Sequence, residues 1–150
     1  MKKLVYLDNQ ATTPLDPDVL SAMLPYFRDK FGNAASVHHA YGREGKEAVE
    51  NSRKLLAESI KGRPRDIIFT SGATESINLA IKGVCKKYQN KGQHIVTQNT
   101  EHKAVIDICN HLNKKCNVDI TYLKPNKNGM IDIKKIKESI SNETYLISVM

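Results

Sequence analysis

Asp66-Ile67-Ile68-Phe69-Thr70-Ser71-Gly72-Ala73-Thr74-Glu75-Ser76 passes from a compact apolar run, through two small residues, into a segment that carries Ile77, Ala80, Ile81 and Val84 at helical spacing. Residues 66–70 read as a buried strand and the segment after Gly72 as a helix, which makes a strand–turn–helix unit. Downstream the pattern recurs. A strand is predicted over 94–98, a helix over 101–112 with Val105, Cys109 and Leu112 on one face, a strand over 118–123, a helix over 133–140 and a strand from Tyr145 to Met150. Strands alternating with helices of this length predict an α/β fold, a three-layer sandwich around a mostly parallel sheet with right-handed crossovers.

Upstream, Leu4 to Leu7 is a short apolar run that ends at the turn-prone Asp8-Asn9. Asp16-Pro17-Asp18 supplies a helix cap, a first-turn proline and a first-turn acid. Val19, Leu20, Met23, Leu24 and Phe27 would line the buried face of that helix, with Pro25 expected to kink or end it. A second helix over about 41–61 places Val49, Leu56 and Ile60 on one side and is closed by Gly62. These elements suggest an N-terminal arm over 1–15, followed by a large domain over 16–150. The run 145–150 has a buried-strand pattern with no turn or polar cap after it, so the reading frame is expected to continue and the domain to be incomplete.

At 150 residues, 40% hydrophobic and 26% charged, the composition is that of a globular chain, and no stretch approaches the ~20 apolar residues of a membrane span. Met1-Lys2-Lys3 precedes too short an apolar run for a secretory signal, which points to the cytoplasm. Cys85, Cys109 and Cys116 lack a C-x-x-C spacing, and Cys85 and Cys109 fall on apolar helix faces, so packing is favoured over disulfide or metal roles. Cys116 belongs to a polar turn over 113–117. The net charge of +7 comes from lysines dispersed as pairs, without the basic stripe and interleaved aromatics of a nucleic-acid surface. His38 and His39 are adjacent, but neighbouring side chains diverge and no third ligand is evident, so no metal site is expected.

The chemistry concentrates at Thr70-Ser71-Gly72-Ala73-Thr74. At a helix start that follows a strand, unpaired N–H groups and the positive end of the helix dipole converge on one point, which suits a phosphate. Gly72 and Ala73 permit close approach, and Ser71 or Thr74 can add a hydroxyl. The same residues also serve helices purely as caps, so this pattern alone leaves both readings open.

Several motifs in register resemble those of cysteine desulfurases: Tyr6-Leu7-Asp8-Asn9-Gln10-Ala11-Thr12-Thr13-Pro14, Gly32-Asn33, His39-Ala40-Tyr41-Gly42, Ile67 to Ser76, and Thr100-Glu101-His102-Lys103. These enzymes are class-V aminotransferase-family members, and the branch most resembled serves iron–sulfur cluster assembly. The resemblance implies the large domain of a fold-type-I pyridoxal 5'-phosphate (PLP) transferase and a homodimer, cytoplasmic or in the mitochondrial matrix. It also implies removal of sulfur from L-cysteine to give L-alanine and an enzyme persulfide, passed to an iron–sulfur scaffold protein. Gly72, Ala73 and Thr74 would bind the PLP phosphate. His102 would lie against the pyridine ring and assist proton transfer, and residues 8–13 and 32–39 would form the substrate side. Gly32-Asn33-Ala34 replaces the family's usual Gly-Asn-Pro, and Arg43 stands where an aromatic is common. In the family the Schiff-base lysine, the carboxylate that holds the pyridine nitrogen and the sulfur-accepting cysteine lie beyond position 150, so these residues alone are expected to be inactive. The competing expectation is a catalytically dead α/β module that binds a phosphate ligand or a partner protein.

Overall fold

The computed structural model describes residues 4–150. Met1-Lys2-Lys3, on which the expectation of no secretory signal partly rests, lie outside the described residues. Two compact units divide the chain, one running up to Ile68 and the other from Phe69 to Met150.

The first unit contains helices α1 (Pro17–Arg28) and α2 (Ala40–Ser59) and a 3-10 turn at Pro64–Asp66. Asp16 caps α1 by accepting from the N–H groups of Asp18 and Val19. Pro25 does not end the helix, which continues to Arg28. The expected buried face of α1 is open: none of its residues is buried. Val49 and Leu56 of α2, and Ile60 just after it, are likewise exposed, and the buried positions are Gly42, Gly45 and Ala57. Helical spacing identifies which side chains share a face, whereas burial depends on what covers that face.

Close packing around the start of α2 explains its glycines. A Cβ on Gly42 would sit 1.9 Å from the Ser36 carbonyl oxygen, and one on Gly45 would sit 2.3 Å from that of Gly32. Phe31 stacks on Tyr41 with ring centroids 5.9 Å apart. At the other end of α2 the chain turns at Lys61, with φ 55°, rather than at Gly62. Lys61 N–H donates to the Glu58 carbonyl and Gly62 N–H to that of Ala57, the paired bonds of a Schellman ending.

Residues 66–70, expected as a strand, form none: Asp66 ends the 3-10 turn and 67–70 pair with no strand. Ile67 is extended, but a strand also needs a ladder partner. Instead the Ile67 carbonyl accepts from Arg53 Nη1 at 2.5 Å. Ile68, at 66% exposed, departs from the buried-strand reading. Leu4 to Leu7 are exposed too.

The second unit is α/β. Helix α3 (Ala73–Tyr88) leads to β1 (His94–Gln98), then α4 (Lys103–Cys116), β2 (Asp119–Leu123), α5 (Ile133–Glu138) and β3 (Thr144–Ile147). The three strands form a parallel sheet in the order β2-β1-β3, the arrangement that alternating strands and helices favour. Ile81 and Cys85 of α3 pack with Val105, Ile108, Cys109 and Leu112 of α4 against Ile95 and Val118. Both helices therefore share one face of the sheet. Asn117 ends α4 with φ 54°, a conformation asparagine tolerates. Cys116 is thus the last helical residue rather than part of a turn.

Two features fix the register. His94 spans the sheet, its Nδ1 paired with Thr144 Oγ1 at 2.7 Å and its Nε2 with Thr121 Oγ1 at 2.8 Å. Next to it, His94 aligns with Thr144 but Ile95 with Leu146, so Tyr145 is an extra residue in β3. Bulges of this kind are rare between parallel strands, and they re-aim a side chain.

Burial pushes the Cys109 thiol up from its ordinary 9.0 to about 11, with a smaller contribution from the charge of Glu101. Unfolded, the thiol would ionise first, so its contribution to stability is complete below about pH 9 and is lost as pH rises toward 11. Tyr122 and Tyr145, raised chiefly by burial, act in the same direction. Urea midpoints should therefore fall between pH 9 and 11, and Cys109→Val should flatten part of that slope. An equal slope in the variant would remove Cys109 as a cause.

Candidate cofactor site

Helix α3 opens at Gly72, which has φ 161° and offers no capping side chain. The first bond down the helix is from Ser76 N–H to the Gly72 carbonyl. The N–H groups of Ala73, Thr74 and Glu75 have no partner among the described residues, as expected of a first turn without a cap. Ser71 is occupied elsewhere: its N–H and hydroxyl both donate to Glu75 Oε2, at 2.7 and 2.6 Å. The Ser71 hydroxyl, with its N–H second, holds the Glu75 carboxyl below its usual range. Thr70 Oγ1 pairs with Ser76 Oγ at 2.6 Å. These bonds shape the turn and leave the donors of the helix start unspent.

The sequence left two readings of this motif open, and the structure bears on both. Ser71 lies one position outside the cap, so it does not satisfy α3's first N–H groups as a capping serine would. Space is also available, since a Cβ on Gly72 would meet nothing within 4 Å. Three converging N–H groups, an uncommitted Thr74 hydroxyl and an open approach fit a phosphate. Glu75, whose nearness to Ser71 is what keeps the capping alternative open in the sequence, holds Ser71 rather than the first N–H groups of the helix.

His102 is the N-cap of α4, and its Nδ1 accepts from Ala104 N–H at 3.2 Å. In the neutral ring that bond leaves the proton on Nε2. The residue is exposed and follows β1 by four positions, so it stands at the carboxyl end of the sheet, where α/β folds bind ligands. Because α3 ends just before β1 begins, its start lies toward the same end. The two helices pack together on one face, so Gly72, Ala73, Thr74 and His102 belong to the same end and the same face. Thr97 Oγ1 and Glu101 Oε1, beside this end of β1, are buried without a partner among the described residues.

The positions expected on the substrate side belong to the first unit. Tyr6 and Thr12 share a hydroxyl bond of 2.6 Å, Asn33 Oδ1 accepts from Ala35 N–H, and His39 Nδ1 caps α2 by accepting from Gly42 N–H at 3.1 Å. No cluster of three metal-ligating side chains occurs among the described residues, and none of the described helices is long and apolar enough to cross a membrane.

The chain is similar to known proteins in sequence and in fold. Cysteine desulfurase IscS of Rickettsia massiliae (strain Mtu5) is 52% identical over 146 residues, which cover 97% of this chain and 35% of the relative. The chain thus spans about a third of the length of the curated relatives it matches. Among solved structures, a NifS-like protein superposes with a TM-score of 0.89 at 32% identity, covering 95% of this chain and 38% of that one. A structure of SspA in complex with cysteine gives 0.84 at 36% identity, covering 93% and 40%. The fold is therefore that of the cysteine desulfurase large domain which the motifs imply. Residues 5–150 match the aminotransferase class-V family, and the chain belongs to that family.

Proposed function

We propose that these residues form the cofactor-holding part of a PLP-dependent cysteine desulfurase, which takes sulfur from L-cysteine and leaves L-alanine and an enzyme persulfide. The observation that carries this reading is the start of α3, where three unspent N–H groups and Thr74 lie at the same end of the sheet as His102. PLP, when bound, supplies the electron sink for chemistry at the amino acid's α-carbon. The chain's own residues bind and move protons. Ala73 and Thr74 donate N–H groups to the phosphate, Gly72 keeps the approach open, and the Thr74 hydroxyl adds a bond. His102 exchanges a proton through Nε2, the nitrogen that its contact with Ala104 leaves free.

The arm over 1–15 and the domain over 16–150 serve a homodimer in the cytoplasm, or in the mitochondrial matrix of a eukaryote. An iron–sulfur scaffold protein takes the persulfide sulfur. Residues 1–150 by themselves do not turn over cysteine, because the lysine, carboxylate and acceptor cysteine that the reaction needs come from elsewhere in the full-length form.

In that form, PLP should support release of alanine from L-cysteine. Thr74→Val should weaken PLP retention by about 1 kcal/mol, the scale of one hydrogen bond and close to fivefold in Kd, as read by cofactor absorbance during dialysis. Unchanged retention would count against the phosphate cradle. PLP binding without alanine release would favour a catalytically dead module.

A further inference from the structure

A second concavity lies at the opposite end of the sheet. Between the later turns of α3 and α4 is a cavity of about 380 Å³, within the range of small-molecule sites. Its walls include Cys85, Leu112, Val118 and Tyr145, and its lining also includes Lys82 and Lys86. Gln93 and Val118, which line it as well, precede β1 and β2 directly, so it borders the amino ends of the strands, away from Gly72 and His102.

Three independent features point to a ligand. First, no carboxylate lines the cavity. Lys82 and Lys86 are one turn apart on α3, and neither forms an ion pair among the described residues. Like charges at this spacing repel and weaken a helix, and an anion between them reverses that sign. Second, the extra residue in β3 is Tyr145, which the bulge brings into the cavity wall. A rare bulge that re-aims an aromatic ring is a device associated with functional sites. Third, the walls are largely apolar, so an ion with no hydrocarbon body would leave most of them unused.

The geometry points to a binding site for a small amphiphilic anion, a monocarboxylate whose carboxylate sits between Lys82 and Lys86 and whose apolar body lies along Leu112, Val118 and the Tyr145 ring. This site is separate from the cofactor site and does not depend on it.

Cys116 provides the readout. It also lines the cavity and is exposed, whereas Cys85 and Cys109 are buried. With octanoate as probe and the uncharged reagent iodoacetamide, alkylation of Cys116 in the 150-residue chain should slow saturably. The effect should reach about tenfold when octanoate stands about tenfold above its Kd, following mass action. Octan-1-ol, octyltrimethylammonium and acetate at the same concentrations should protect little. Lys82→Gln/Lys86→Gln, a change at exposed positions, should abolish the octanoate effect while leaving the unprotected alkylation rate near wild type. Absence of saturable protection would overturn the site. Equal protection in the double variant, or by octan-1-ol, would overturn its anion selectivity, and equal protection by acetate would overturn the role of the apolar walls.

Discussion

Replacing His102 with alanine in the full-length form is expected to lower turnover of L-cysteine by about 10²–10⁴-fold, the usual scale of one general acid–base group. The structure adds a complication, because His102 is also a helix cap whose Nδ1 accepts from Ala104 N–H. Alanine removes the cap as well as the proton carrier, at a cost of about 1 kcal/mol in stability. His102→Asn separates the two roles: its side-chain oxygen can cap α4, but it cannot exchange a proton near neutral pH. Turnover should therefore remain low in His102→Asn while its urea midpoint returns toward wild type. Recovery of turnover along with stability would reduce His102 to a capping residue.

The largest effect on folding is expected at Gly42. Alanine there would put a methyl carbon 1.9 Å from the Ser36 carbonyl oxygen and 2.9 Å from that of Asn33. Both obstacles are backbone, so the loop over 32–36 must leave the helix. Overpacking of this kind costs about 3 kcal/mol or more, and limited proteolysis should cut near Ser36 in the variant first. Gly83→Ala is the matched control. Gly83 lies inside α3 with nothing within 4 Å of the added carbon, so the change should stabilise by about 0.5–1 kcal/mol through helix propensity alone. A wild-type urea midpoint for Gly42→Ala would mean that the loop does not rest on α2.

How much of this was readable beforehand differs between the two units for one reason. In the second unit, His94-Ile95-Val96-Thr97-Gln98 forms β1 at the expected bounds, and Val105, Cys109 and Leu112 are buried as the helical period requires. Their burial comes from elements nearby in the chain. In the first unit the apolar faces of α1 and of α2 beyond Ala57 are real as patterns, yet nothing in that unit covers them. Lys61 and Gly62 teach a related lesson. Residue type favoured the glycine for the left-handed turn, whereas the hydrogen bonds from Lys61 and Gly62 to Glu58 and Ala57 set the turn one position earlier. At the cofactor site the small residues at the start of α3 were legible, because a phosphate cradle is written in local residue types. The cavity beside Tyr145 was not, since a bulge exists only relative to the register of another strand.

The bridging imidazole of His94 has a consequence for assembly of the sheet. Sliding β3 by one residue would turn the Thr144 hydroxyl to the opposite face and leave one ring nitrogen facing no acceptor or donor. Fifty residues separate these partners along the chain, so bringing them together costs loop-closure entropy. His94 thus ties the register of β3 to that of β1: a chain threaded one residue out of place loses a bond that the native pairing keeps.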